Sequence, residues 1–292
     1  MADYMRSDLA RECGCLREQE GICVTRAEIG GREILRVRIK DPDVARRIGK
    51  PCGRYVTVAL GDGASFGAET ARVLSVEMRE MAERMAGKRI SKDFSVLVVG
   101  LGNADMIADA LGPATVKKVS VTRHVSRPCD APQLGGGVCR LAAFAPGVVG
   151  QTGLETVELV RGAVAAVAPD LVIAVDALVA RETAHLGATA QLSDTGVQPG
   201  GGIGAARPAV TAEALGVPVM ALGIPTVVES ETLVGDALVR VGVDRRTPAF
   251  ADLVHHGESF FVTPKEIDLL LPLLSDLLAR AIERAFAVGL SN

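Results

Sequence analysis

Apolar and polar positions alternate early in the chain. Leu35, Val37 and Ile39 alternate with Arg36, Arg38 and Lys40, and the run at 55–60 is again rich in β-branched and aromatic residues. A period of two sends successive side chains to opposite sheet faces, so residues 20–62 are expected to form strands with one apolar and one basic face. The period then lengthens. Leu74, Met78, Met81 and Met85 recur at helical spacing, with Glu77, Arg79, Glu80 and Arg84 on other faces, which predicts a helix whose methionine stripe packs in the core. From residue 95 short runs that are apolar almost throughout replace both patterns, at 95–99, 171–175 and 217–222. Strands covered on both faces read this way. Thr152-Gly153-Leu154-Glu155 has capping-box spacing and is expected to open a helix reaching Val167. Near the end, Thr263 as N-cap, Pro264 at the first helical position and Glu266 closing the box predict a last helix. Its face is Ile267, Leu270, Leu271, Leu274, Leu277 and Leu278.

Strand, helix and strand in succession predict an α/β fold with a mixed, mainly parallel sheet flanked by helices. No Pro-rich or Ser-rich linker and no internal repeat divides the chain. Residues 1–292 are therefore expected to form a single α/β domain, with a β-rich section over 1–62 and a core over 63–292.

Composition narrows the function. Across 292 residues, 32 Lys+Arg stand against 35 Asp+Glu, a net charge of −3, so no cationic excess exists to track a nucleic-acid backbone. With no Trp and two Tyr, the chain also lacks aromatic platforms for stacked bases. No apolar run approaches the roughly 18 to 20 residues that span a bilayer, and the N-terminus lacks a signal-peptide core. No membrane partner is expected, and the expected location is cytoplasmic. The six cysteines form no Cys-x-x-Cys pair, and Cys13-Gly14-Cys15 is the only tight spacing. They read as reduced thiols without a metal.

Candidate chemistry lies where loops leave the apolar strands, because ligands of open α/β sheets gather there. Asp109 and Asp176 each sit at such an edge and each precede Ala-Leu. Either alone reads most simply as a helix N-cap. Together they form a candidate acid/base pair, because two neighbouring carboxylates repel and split their pKa values. The Gly100-Leu101-Gly102-Asn103 loop lacks the third glycine of a dinucleotide fingerprint and no Gly-Lys-Ser/Thr follows, so no cofactor is expected. A second glycine-rich stretch at 193–204 suits the wall of a substrate cleft. No Gly-x-Ser-x-Gly elbow is present, and His124, His185, His255 and His256 lack zinc-peptidase spacing. His124 reads as a structural or cleft residue and the His255-His256 pair as part of a solvated loop.

A series of blocks in one order resembles the germination protease family of spore-forming bacteria. They include Met5-Arg6-Ser7-Asp8-Leu9-Ala10, Leu97-Val98-Val99-Gly100-Leu101-Gly102-Asn103, Asp109-Ala110-Leu111-Gly112-Pro113 and Val121-Thr122-Arg123-His124. Residues 145–156, Val175-Asp176-Ala177-Leu178, Gln191-Leu192-Ser193-Asp194-Thr195-Gly196, Gly223-Ile224-Pro225-Thr226 and Val262-Thr263-Pro264-Lys265-Glu266 continue the series.

The resemblance implies an atypical aspartic endopeptidase that initiates degradation of small acid-soluble spore proteins at germination. It implies a zymogen, a homotetramer, a place in the forespore or spore core, and a fold similar to that of hydrogenase-maturation peptidases. The family's two essential aspartates correspond to Asp109 and Asp176, with no metal. Three departures stand out. Relatives usually carry Thr-Pro directly before the first aspartate, where this chain has Ile107-Ala108. Only Met1 to Tyr4 precede the first block, so the usual cleavable leading segment is nearly absent. The stretch from Val243 to Val262 is short where better-known members carry an insertion. The alternatives are a related peptidase with another protein target, metal-sensing in the manner of hydrogenase maturation, and an inactive scaffold of the same fold.

Overall fold

The computed structural model describes residues 7–13, 21–61, 66–124, 137–198, 208–244 and 260–288. β1 (Ile22–Ile29) and β2 (Arg32–Ile39) form an antiparallel hairpin. Its two-residue turn is Gly30-Gly31, with φ of 57° and 68°. Both turn positions lie in the left-handed region, which glycine enters without a Cβ clash. α1 (Pro42–Ile48) follows, its N-cap Asp41 accepting the N–H groups of Asp43 at 2.7 Å and Val44 at 3.0 Å. β3 (Gly53–Ala59) then returns antiparallel to β2.

The later elements are α2 (Ala68–Ala86), β4 (Ser95–Gly100), α3 (Leu111–Val116), β5 (Gly137–Val138), β6 (Arg140–Phe144), α4 (Val149–Thr152), α5 (Thr156–Val167) and β7 (Leu171–Ala180). After them come β8 (Thr189–Ser193), α6 (Ala212–Leu215), β9 (Val219–Glu229), α7 (Ser230–Arg240), β10 (Phe261–Val262), α8 (Ile267–Ala285) and β11 (Ala287–Val288). Among the described residues nine strands make one sheet in the order β1-β2-β3-β8-β9-β7-β4-β6, with β10 on β9, while β5 and β11 pair separately. Strands of the β-rich section and of the core thus share one sheet.

The expected mixed sheet with flanking helices is present, but its balance differs from the expectation of mainly parallel pairing. Only the neighbours among β9, β7, β4 and β6 run parallel; the pairs β1–β2, β2–β3, β3–β8, β8–β9 and β9–β10 are antiparallel. Parallel neighbours need long crossovers, which here contain helices. The hairpin turn at Gly30-Gly31 and the short link from β7 to β8 instead reverse the chain.

Helices cover both faces. α2, α3 and α8 bury Leu74, Met78, Met81, Leu111, Leu274 and Leu278 against Val96, Val98 and Ile173. On the other face, Val157, Val160 and Val164 of α5 pack on Leu97, Val99, Val172 and Ala174. The apolar runs of β4 and β7 thus lie where both faces of the sheet are covered. The methionine stripe packs as expected. Glu77, expected on an outer face, is also buried, and it pairs with Arg36 of β2, whose Nε donates to Glu77 Oε2 at 2.9 Å. Of the basic face of β2, Arg36 thus meets α2, while Arg38 and Lys40 stay exposed.

Both predicted helix starts move. Thr152 ends α4, and Gly153 closes that turn at φ 71°. α5 begins at Thr156, with the Glu158 carboxylate accepting the Glu155 N–H at 3.0 Å. Thr263 donates its hydroxyl to the Thr226 carbonyl at 2.8 Å instead of capping, so α8 starts at Ile267. Pairing of β10 with β9 draws Thr263 toward the sheet. The apolar face of α8 is otherwise as predicted, with Ile267, Leu271, Leu274, Leu277 and Leu278 buried and Leu270 partly so. Among the described residues no helix is long and apolar enough to cross a membrane.

Candidate active site

Asp176 lies inside β7, and no helix follows it. Strand pairing with β9 continues from Asp176, opposite Gly223, through Ala180, past an irregularity between Leu178 and Val179. The run of five apolar residues marked where β7 is covered, and pairing extends five residues further. A Cβ on Gly223 would sit 2.6 Å from the Leu178 side chain and 2.7 Å from the Asp176 carbonyl, so glycine permits the pairing at this point. Asp176 Oδ1 accepts the Ala177 N–H at 2.9 Å.

Asp109 closes a 3-10 turn over Ile107–Asp109 ahead of α3. The residue capping α3 is Ala110, with no side-chain hydrogen bond, so Asp109 is not an N-cap either. Its carboxylate turns back on the loop leaving β4, where Oδ2 accepts the Asn103 N–H at 2.6 Å. Two glycines make this geometry possible. Gly102 has φ 106°, and a Cβ there would lie 2.1 Å from the Asp109 carbonyl and 2.9 Å from its Oδ1. A Cβ on Gly112 would lie 2.3 Å from the Leu101 carbonyl and 2.4 Å from that of Val175, so the start of α3 packs directly on the end of β4 and the middle of β7. The Thr226 hydroxyl holds the Ala108 carbonyl at 2.6 Å from the other side.

Asp109 and Asp176 line one cavity of about 570 Å³, together with Asp8, Lys50, Gln191 and Ser193. Surrounding protein raises both acids above the ordinary aspartate range by removing water from the charged form. Asp176 is raised well above it, by this desolvation and then by the negative charges of Asp109 and Asp8. At Asp109 the Asn103 N–H opposes the rise by stabilising the carboxylate. The two acids therefore line one cavity in unequal environments, which raise Asp176 further than Asp109.

The third carboxylate, Asp8, went unassigned on sequence. It lies in a segment beside β7, where the Asp8 N–H donates to the Val179 carbonyl at 2.8 Å and the Val179 N–H donates to Asp8 Oδ2 at 2.8 Å. Gln191 brackets this segment, donating to the Asp8 carbonyl at 2.8 Å and accepting the Ala10 N–H at 2.7 Å. Lys50 Nζ donates to the Ser7 carbonyl at 2.8 Å. The signal for it in the sequence is an aspartate in one of the blocks that resemble the germination proteases, with no periodic element around it.

The described histidines separate from the cavity. His185 meets the buried Glu12 carboxylate, and His124 is exposed. Thr195, Gly196, Val197 and Gln198 of the second glycine-rich stretch line the cavity, as a cleft wall would; residues 199–204, His255-His256, Cys15 and Cys129 lie outside the described residues. Cys13, Cys23, Cys52 and Cys139 are not joined to one another in disulfides. Among the described residues, no group of three or more His, Cys, Asp or Glu side chains is arranged to hold a metal ion.

The sequence model of the germination protease family matches residues 4–242. The chain is 36% identical to the germination protease of Caldanaerobacter subterraneus subsp. tengcongensis, across 99% of this chain and 96% of that protein. It is 31% identical to the germination protease of Clostridium acetobutylicum, across 98% and 96% of the two chains. Identity to the germination protease of Halalkalibacterium halodurans is 40%, over 75% of this chain and 59% of the relative.

Proposed function

Because the chain belongs to the germination protease family and is a peptidase, we propose that it degrades small acid-soluble spore proteins at germination by aspartate-dependent hydrolysis, with Asp109 and Asp176 as the catalytic pair. The observation that carries this reading is the meeting of two carboxylates from separate strand units in one cavity, where neither caps a helix. The family also supports assembly as a homo-oligomer and a location in the spore core.

The two environments support a division of labour. Asp176, the more strongly desolvated and facing two negative charges, holds the shared proton, while Asp109 keeps its charge on the Asn103 N–H. Ionised Asp109 takes a proton from water as the water oxygen bonds to the scissile carbonyl carbon. Protonated Asp176 gives its proton to the leaving nitrogen as the C–N bond breaks. The pair then exchanges a proton with solvent to reset. Backbone N–H groups of the glycine-rich turns are the candidate donors to the developing oxyanion.

The test is incubation of the full chain with a small acid-soluble spore protein near neutral pH, beside Asp109→Asn and Asp176→Asn, with fragments read by mass spectrometry. Discrete cleavage by the parent alone supports the pair. Undiminished cleavage by either variant removes it, and no cleavage by any folded form favours another substrate or a non-catalytic relative.

A further inference from the structure

Resting on the reading of Asp109 as the catalytic base, we propose that Gln151 is a positioning residue. Its side-chain amide fixes the loop after β4 so that the Asn103 N–H stays on the Asp109 carboxylate. Gln151 comes from α4, on the chain segment after β6, and reaches across to a loop 48 residues away in sequence.

Both hydrogens of its amide are used. Nε2 donates to Asn103 Oδ1 at 3.0 Å and to Asp105 Oδ2 at 2.9 Å. Asn103 Oδ1 also accepts the Asp105 N–H at 3.0 Å, so the amide closes a turn that starts at the residue whose own N–H holds Asp109. On its acceptor side, Gln151 Oε1 takes the Val148 N–H at 3.5 Å, which orients the amide with its nitrogen toward the loop. The need for such a brace follows from the loop itself. Gly102 at φ 106° gives the backbone a freedom that other residues lack, and the Ala104–Ile107 stretch is exposed, so little packing holds the Asn103 N–H in place. Thr226 holds the far side of Asp109 through the Ala108 carbonyl, whereas at Asn103 the loop's own bonds, from the Met106 N–H to the Asn103 carbonyl at 3.2 Å and from the Asp105 N–H, are supplemented from outside the loop by Gln151.

Asn cannot reach as far, and Glu has the shape of Gln without either donor while setting a second carboxylate against Asp105. The experiment compares the pH dependence of kcat/KM for cleavage of a small acid-soluble spore protein by the full-length parent, Gln151→Ala, Gln151→Glu and Asp109→Asn. In parallel, the Asn103 amide proton is followed by NMR through a pH titration, because its shift reports the ionisation of the carboxylate it touches. Loss of the brace is expected to move the acid limb and the amide midpoint upward together, by about half to one pH unit, and further for Glu than for Ala. A role confined to stability would lower the plateau and leave both midpoints unmoved. Midpoints at or below the parent value in both Gln151 variants, with Asp109→Asn inactive, would overturn the positioning role alone. Full cleavage by Asp109→Asn would overturn the catalytic reading and this inference with it.

Discussion

Two carboxylates with little exposed surface of their own, Glu12 and Asp176, live under opposite rules. The Glu12 side chain is 1% exposed, yet it meets the His185 ring and the Ser7 hydroxyl and accepts the N–H groups of Arg181 at 2.7 Å and Glu182 at 2.9 Å. Burial pushes its pKa up, but these hydrogen bonds outweigh burial and leave it below the ordinary glutamate value. Asp176 accepts one adjacent N–H and faces the charges of Asp109 and Asp8, and its pKa is raised well above the ordinary value. A carboxylate surrounded by donors ties the chain segment Ser7 to Cys13 to the end of β7. One left short of donors and beside like charge is pushed toward its protonated form.

The largest expected difference is in activity. General acid and base groups are each worth roughly 10²- to 10⁴-fold, so Asp109→Asn and Asp176→Asn are expected to reduce kcat/KM by about 10³-fold or more with the fold retained. Glu12→Ala should do the reverse. It leaves four donors without their acceptor and is expected to cost about 3 kcal/mol of unfolding free energy in urea titrations. The acid limb of its activity profile should stay within a few tenths of a unit of the parent's, read where the variant is still folded. A Glu12 variant with unchanged stability and a shifted limb would erase the contrast between the two groups.

Sequence periodicity carried the architecture well and the site only in part. The doubly covered strands, the Leu74–Met81 stripe and the α8 face were legible because burial writes a repeat into apolar positions. Termini were less legible. Thr152 and Thr263 both have capping spacing, yet a left-handed Gly153 and a bond to the Thr226 carbonyl claim those regions first. The same limit applies to Asp176: the apolar run stops at Val175 because the cavity opens there, while pairing to β9 continues. Asp109 and Asp176 could be named as a pair from strand edges. Asp8 and Gln151 could not, because each acts through contacts across 171 and 48 residues of chain, respectively, that no local pattern encodes.

The smallest expected effect concerns stability and sharpens the comparison by its sign. Glu12 has a lowered folded pKa, so the stability it contributes is present above its unfolded pKa and is lost as pH falls through the folded value. Asp176 has a raised folded pKa. Below the unfolded value it is protonated in both states and costs nothing; above it, the unfolded chain releases a proton that the folded chain retains, so stability falls as pH rises toward the folded pKa. Asn at position 176 has no proton to retain. Asp176→Asn is therefore expected to melt higher than the parent near neutral pH, by about 2 °C or more, with the gap narrowing as pH is lowered toward 5. Thermal scans of both proteins at several pH values from 5 to 8 would read this slope. A gap that widens on acidification would mean that the Asp176 carboxylate is stabilised in the fold, as Glu12 is, and that the proton of the pair resides elsewhere.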